Sequence, residues 1–171
     1  MYYTVRSART SDVHGIRRLI DANVASGRLL DKPTVTLYED IQEFIVAEPG
    51  SGAGGSGGVV GCGALHVMWE DLAEIRTVAV AEDCQSEGAG HLIVEALLAR
   101  AREIGVSRVF VLTFAEKFFA SLGFEVISGE AASPEVHAEL LRSYDEGVAE
   151  FLGLDRVKPN TLGNTRMLLR L

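Results

Sequence analysis

Tyr3-Thr4-Val5-Arg6 alternates apolar and polar residues and is rich in β-formers, which predicts a short first strand. Behind Thr10-Ser11-Asp12, a stretch that offers an N-cap, Val13, Ile16, Leu19 and Ile20 recur at helical spacing. Gly27 and Pro33 interrupt the pattern, so 24–34 reads as a loop or a broken helix. Leu37, Ile41 and Phe44 predict a second short helix running into the strand Phe44-Ile45-Val46-Ala47. From Pro49 to Gly58 nearly every residue is Gly, Ser or Ala, and Val59 to Val67 then reads as strand. Residues 49–58 are therefore expected to form the flexible connection of a hairpin. A phosphate-cradling loop is the sharper alternative, but no Lys-Ser/Thr follows and no helix opens after it.

Ala73 to Val80 is the next strand. It leads through Asp83 and Cys84 into Gln85-Ser86-Glu87-Gly88-Ala89-Gly90 and a helix from His91 to Ile104. Leu92, Ile93, Ala96, Leu97 and Ala101 give that helix one apolar face, and Gly105 ends it. Arg108 to Thr113 is apolar and short enough for a buried strand. Phe118 to Leu122 predicts a short helix stopped by Gly123, followed by the strand Phe124–Ile127. One further helix is expected over about 134–152, and Thr165 to Leu171 closes the chain as a strand. The order of elements implies a mixed α/β (α+β) class, with helices around one sheet.

The chain has 171 residues, a length that implies one domain over 1–171. Its 24 acidic residues outnumber 16 basic ones, for a net charge of −8, so duplex nucleic acid and anionic membrane are poor partners. No apolar run approaches the ~20 residues of a membrane span, and the N-terminus lacks the features of a secretory signal. Cys62 and Cys84 make neither a disulfide framework nor a metal-ligand cluster, so reduced thiols in a cytoplasmic protein are expected. His14, His66, His91 and His137 lack ligand spacing, which argues against a metal. Trp69 and Phe110, Phe114, Phe118, Phe119 and Phe124 are expected in the core rather than on a base-stacking surface.

The most informative segment is strand, Gln-x-x-Gly-x-Gly, helix. Glycines let a backbone approach a ligand closely, and a helix start offers unpaired N–H groups at the positive end of the dipole. Together they suit a pyrophosphate. A dinucleotide-binding turn is the rival reading, but it requires Gly-x-Gly-x-x-Gly near the start of a βαβ unit. Here Gly-x-Gly follows several antiparallel-looking strands.

With Val78-Ala79-Val80 ahead of Gln85–Gly90, and Phe118-Phe119-Ala120-Ser121-Leu122-Gly123-Phe124 behind, the sequence resembles the GNAT N-acetyltransferases. The likeness is closer to the acetyltransferase domain of N-acetylglutamate synthases. It is carried by Gly27 to Pro33, Glu74 to Val80, Gly105 to Thr113, Gly123-Phe124 and Thr165 to Leu171. The larger bacterial synthases carry an amino-acid-kinase-like domain ahead of this one, so the resemblance is to a stand-alone short form. It implies a GNAT fold with a mixed, mostly antiparallel central sheet. It also implies direct acetyl transfer from acetyl-CoA to the α-amino group of L-glutamate, the first step toward arginine. A homodimer is left open, because relatives often form dimers.

The resemblance also assigns residues. Val78, Ala79, Val80, Gln85, Ser86, Glu87, Gly88, Ala89, Gly90, His91 and Phe118 would hold acetyl-CoA. Glu74 aligns with the glutamate proposed as base in glutamate-acetylating relatives; a strand carboxylate can take the ammonium proton, directly or through water. The alternative is an edge glutamate facing solvent or pairing with Arg76. Many relatives protonate the leaving thiolate with a tyrosine where this chain has Phe118 and Phe119; the glutamate-acetylating branch uses a hydroxyl, here Thr113. Arg28 and Lys32, in the early loop where relatives keep a basic pair, and Arg76, which strand alternation puts on the face of Glu74, are the cations available to substrate carboxylates, although such a residue taken singly is more often a surface cation. Relatives place an arginine and a serine before the last strand where this chain has Gly163 and Thr165. That departure leaves glutamine, or another small amine, open as the acceptor. Glu87 stands where relatives commonly carry Lys or Arg, which puts an acid beside the phosphates. An acyl-CoA-binding sensor without catalysis is the reading from a different class, and it has no use for Glu74.

Overall fold

The computed structural model describes residues 2–50, 58–153 and 163–171. Most of the expected hairpin connection, 51–57, lies outside the described residues. The strands follow the order β1-β2-β3-β4-β5-β7-β6 in one seven-stranded sheet, with helices flanking it. Two compact units divide the chain: residues 1–66 with 75–104, and residues 67–74 with 105–171.

In the first unit, β1 (Tyr3–Ser7) pairs antiparallel with β2 (Phe44–Pro49), and β2 pairs antiparallel with β3 (Gly61–Trp69). Helix α1 (Val13–Ala25) buries Val13, Ile16, Leu19 and Ile20, the positions whose spacing predicts it. They pack with Leu37 of α2 (Thr34–Glu39) and with Phe44, Val46, Cys62 and Ala64 of the sheet. Asp12 stands at the N-cap of α1 yet makes no side-chain cap. Its carboxylate is taken instead by Arg6 (2.7 and 3.0 Å) and by the Arg9 amide (2.7 Å), so an ion pair displaces the expected capping bond. Helix α3 (Ala89–Ile104) starts two residues before its predicted position and ends at Gly105, whose φ of 100 suits glycine. Gly61 and Gly63 of β3 let α3 sit close: a Cβ at either would come within 2.8 Å of Ile93.

The second unit is built on β5 (Arg108–Thr113), which pairs parallel with the start of β4 (Leu72–Val80) and antiparallel with β7 (Thr165–Arg170). The Asp71 carboxylate accepts from Arg108 (2.9 and 3.3 Å), and Arg108 also donates to the Ala131 carbonyl (2.5 Å). Helix α4 (Glu116–Ser121) precedes β6 (Glu125–Val126), only half the predicted strand. The single helix expected over 134–152 is two, α5 (Pro134–Leu140) and α6 (Glu146–Leu152). Asp145 divides them: its carboxylate accepts the Val148 amide (2.8 Å) and caps a new helix. The core here gathers Met68, Leu72, Phe110, Leu140, Val148 and Phe151. Phe110, Phe119 and Phe124 are buried as expected. Trp69 (38% exposed) and Phe114 (52%) are not core residues, because each falls where the chain leaves its strand.

Candidate active site

Strand β4 changes character at Thr77. This buried, β-branched residue has φ 57, a conformation that costs such a side chain about 1–3 kcal/mol. The Cys62 thiol donates to its carbonyl across 3.5 Å. Beyond it come Val78, Ala79 and Val80, and then a turn over 85–88 that enters α3.

That turn is shaped by two more left-handed residues, Ser86 (φ 65) and Gly88 (φ 96). Gln85 Nε2 reaches back to the Val80 carbonyl (3.4 Å), and the Gly88 carbonyl accepts the Leu92 amide (3.2 Å). Gly88 thus opens the helix, whose start presents backbone N–H groups at the positive end of the dipole. A Cβ built on Gly88 meets nothing within 4 Å, so the turn faces open space. Donors, dipole and room together fit a pyrophosphate. The Glu87 carboxylate accepts the Tyr3 hydroxyl at 2.6 Å.

The early loop belongs to the same unit. Arg28 is exposed and Lys32 half-buried. Arg17 of α1 ties this loop down: it donates to Asp21 (2.8 Å), to Asp31 (2.8 Å) and to the Lys32 carbonyl. Arg76 is buried on β4, so it is not a surface cation.

In the second unit, Glu74 is 4% exposed and sits opposite Phe110 of β5. With β4 between β3 and β5, the edge-strand alternative for Glu74 does not apply. Thr113 is buried, and its Oγ1 accepts the Ala115 amide at 2.8 Å while its O–H stays available as a donor. Thr165, its register partner on β7, donates to Glu116 at 3.3 Å. Phe118 packs edge-to-face on Phe119 with ring centres 5.0 Å apart. Phe114 to Phe118 line an open cleft of about 570 Å³. Among the described residues, no group of three or more His, Cys, Asp or Glu side chains could hold a metal ion. No helix among them is long and apolar enough to cross a membrane.

Tyr3, Arg17 and Glu116 are the contributors that sequence reasoning passes over. Nothing in their local pattern marks them, since their partners lie 84, 14 and 49 residues away.

Residues 21–124, more than half of the chain, match the Acetyltransferase (GNAT) family. The chain belongs to that family. As a GNAT acetyltransferase it takes acetyl-CoA as acyl donor. It is 57% identical over 165 residues to an amino-acid acetyltransferase of Mycobacterium tuberculosis, covering 96% of this chain and 92% of that one. The crystal structure of Rv2747 from the same organism, in complex with CoA and NLQ, superposes with a TM-score of 0.90 at 56% identity, covering 98% of this GNAT chain and 99% of that one. The N-acetylglutamate synthase of Neisseria gonorrhoeae, complexed with coenzyme A and N-acetyl-glutamate, gives a TM-score of 0.76 at 28% identity. That match covers 100% of this chain and 35% of the synthase.

Proposed function

We propose that this acetyltransferase acts on amino acids and transfers acetyl from acetyl-CoA to the α-amino group of L-glutamate, as an N-acetylglutamate synthase at the entry to arginine biosynthesis. The observation that carries the reading is a carboxylate, Glu74, buried in the interior of the sheet of a GNAT acetyltransferase. It is supported by the likeness to an amino-acid acetyltransferase and to a synthase complexed with N-acetyl-glutamate.

The amino acid arrives as an ammonium ion, which cannot attack a carbonyl. Glu74 accepts its proton, directly or through water, and frees the nitrogen lone pair. Acetyl-CoA supplies the activated acyl carbonyl, held by the 78–80 strand end and the 85–91 turn with Phe118. As the tetrahedral intermediate collapses and the C–S bond breaks, its nitrogen sheds a second proton. Thr113, with its oxygen fixed by the Ala115 amide, relays that proton to the departing thiolate and ends as a neutral hydroxyl. Arg76 and the early-loop cations Lys32 and Arg28 bind the substrate carboxylates. Direct transfer leaves no acyl-enzyme, so neither cysteine is a nucleophile.

One observation favours glutamine as a second acceptor. Thr165 engages the Glu116 carboxylate, and a negative charge there suits a neutral amide better than a second carboxylate. Thiol release from acetyl-CoA, measured with each of the amino acids supplied alone, separates the readings. Glutamate should show the highest kcat/KM; a higher value for glutamine or another amine overturns the assignment.

A further inference from the structure

The turn that leads into α3 carries an acid, Glu87, and that acid has a partner far away in sequence. Tyr3 is on β1 and only 4% exposed, so its ring is fixed by the sheet. Its hydroxyl donates to Glu87 Oε2 at 2.6 Å, the length of a charge-assisted bond. The Cys84 thiol, also buried, lies against the same hydroxyl. Tyr3 therefore meets both ends of the segment that joins the short 3₁₀ turn Glu82–Cys84 to α3.

Glu87 lies between Ser86 (φ 65) and Gly88 (φ 96), the two residues whose left-handed backbone sets the path of the turn. Left-handed serine is unfavourable, so the turn needs an external tether to stay populated. We propose that Tyr3 is a positioning residue for acetyl-CoA binding. By holding Glu87 it fixes the 85–88 turn in the shape that aims the first N–H groups of α3 at the cofactor's phosphates. The same bond draws the Glu87 carboxylate onto β1, which answers why an acid is tolerated beside a phosphate site. Preorganised donors bind better than donors that must be ordered by the ligand.

The inference rests on the reading that the 85–90 turn holds acetyl-CoA, and the test separates the two. Dissociation constants for acetyl-CoA would be measured by calorimetry for the whole chain and for Y3F, E87A, E87Q, Y3F/E87A and G88V. Y3F should raise Kd about five- to tenfold, the scale of one net hydrogen bond, and E87A should match it. The double variant should be no weaker than either single one, because all three remove one tether. E87Q keeps a carbonyl oxygen for the tyrosine hydroxyl and should recover most of the affinity. KM for the amino acid and kcat at saturating acetyl-CoA should stay within twofold in Y3F, a split that general destabilisation would not produce. G88V, strained at φ 96, should lose binding if the turn is the cofactor site. If G88V binds normally, the turn reading fails. If G88V loses binding but Y3F does not, or E87A binds more tightly than the parent, the tether is wrong and Glu87 acts only by charge repulsion.

Discussion

The Cys62 thiol donates to the carbonyl of Thr77 across 3.5 Å, at the residue where β4 leaves the extended conformation. Cys62 has no exposed surface, and burial pushes its thiol up to about 12. Little of it is therefore thiolate at about pH 8.5, and alkylating reagents attack the thiolate. Cys62 should therefore resist iodoacetamide in the native protein and react once urea unfolds the chain. Peptide mass spectrometry reads this directly. Labelling of native Cys62 at the rate of a free thiol would contradict its buried role beneath the bend.

The carboxylate of Glu74 should matter most where the amine is still protonated. Glu74→Gln is expected to lower kcat at pH 7 by about a hundredfold or more, the scale of a general base. Residual activity should climb toward alkaline pH, where the substrate amine loses its proton unaided. A Glu74→Gln enzyme with parental kcat at pH 7 would remove this residue from the mechanism.

Arg17 joins α1 to the loop that carries Lys32, through Asp31 and the Lys32 carbonyl. Arg17→Ala should loosen that loop without touching the 85–88 turn. KM for the amino acid is expected to rise severalfold, toward the tenfold or greater rise expected for Lys32→Ala, which loses the charged contact itself. KM for acetyl-CoA should hold in both. Equal losses for the two substrates would mean that the loop supports the fold rather than the acceptor.

The elements that positioned these residues were largely legible in the pattern of the chain. Helix α3 and strand β5 were readable because a long apolar face and a short β-branched run leave few alternatives. The 134–152 segment was misread because its apolar spacing continues across a break, while the Ser143-Tyr144-Asp145 capping signal sits inside it. The turn into α3 was legible because glycine spacing is local. Its tether was not, since Tyr3 and Glu87 are 84 residues apart and meet only through the sheet. Likewise the burial of Arg76 depends on tertiary neighbours that periodicity along one strand does not report.

Arg6 holds the Asp12 carboxyl below its ordinary value of 3.8, chiefly by hydrogen bonding to the charged form. A carboxyl lowered on folding adds stability above its unfolded pKa, and that stability is lost as pH falls through the folded value. Asp12→Asn should thus cost about 1–2 kcal/mol near pH 6, discounted because Arg6 is partly exposed. The gap to the parent should begin to narrow as pH falls below 3.8 and close only as it falls through the lower folded value, where the native carboxylate protonates. Urea midpoints at pH 6 and pH 3 test the sign; a gap that widens in acid would reverse it.

Gly63 and Gly61 stand two residues apart on β3 and both face Ile93 of α3, yet their substitutions should differ. A Cβ at Gly63 would lie 2.8 Å from Ile93 Cγ2 and 3.0 Å from Leu97 Cδ1. Ile93 Cγ2 is attached at the branch of a fully buried side chain, so relief requires moving the helix itself. A Cβ at Gly61 would meet Ile93 Cδ1, the far end of the chain, at 2.8 Å, with the next neighbour at 3.5 Å. A rotation about one bond relieves that contact. Overpacking of a tight core costs about 1–3 kcal/mol, and replacing glycine returns about 0.4–1 kcal/mol through the unfolded state. Gly63→Ala is therefore expected to destabilise by about 1–2 kcal/mol, and Gly61→Ala to stay within about 0.5 kcal/mol of the parent. Because the 85–88 turn proposed to hold acetyl-CoA leads into α3, Gly63→Ala should also weaken acetyl-CoA binding, whereas Gly61→Ala should leave it close to parental. Equal stabilities in urea for the two variants would show that α3 is not seated on β3 through these glycines.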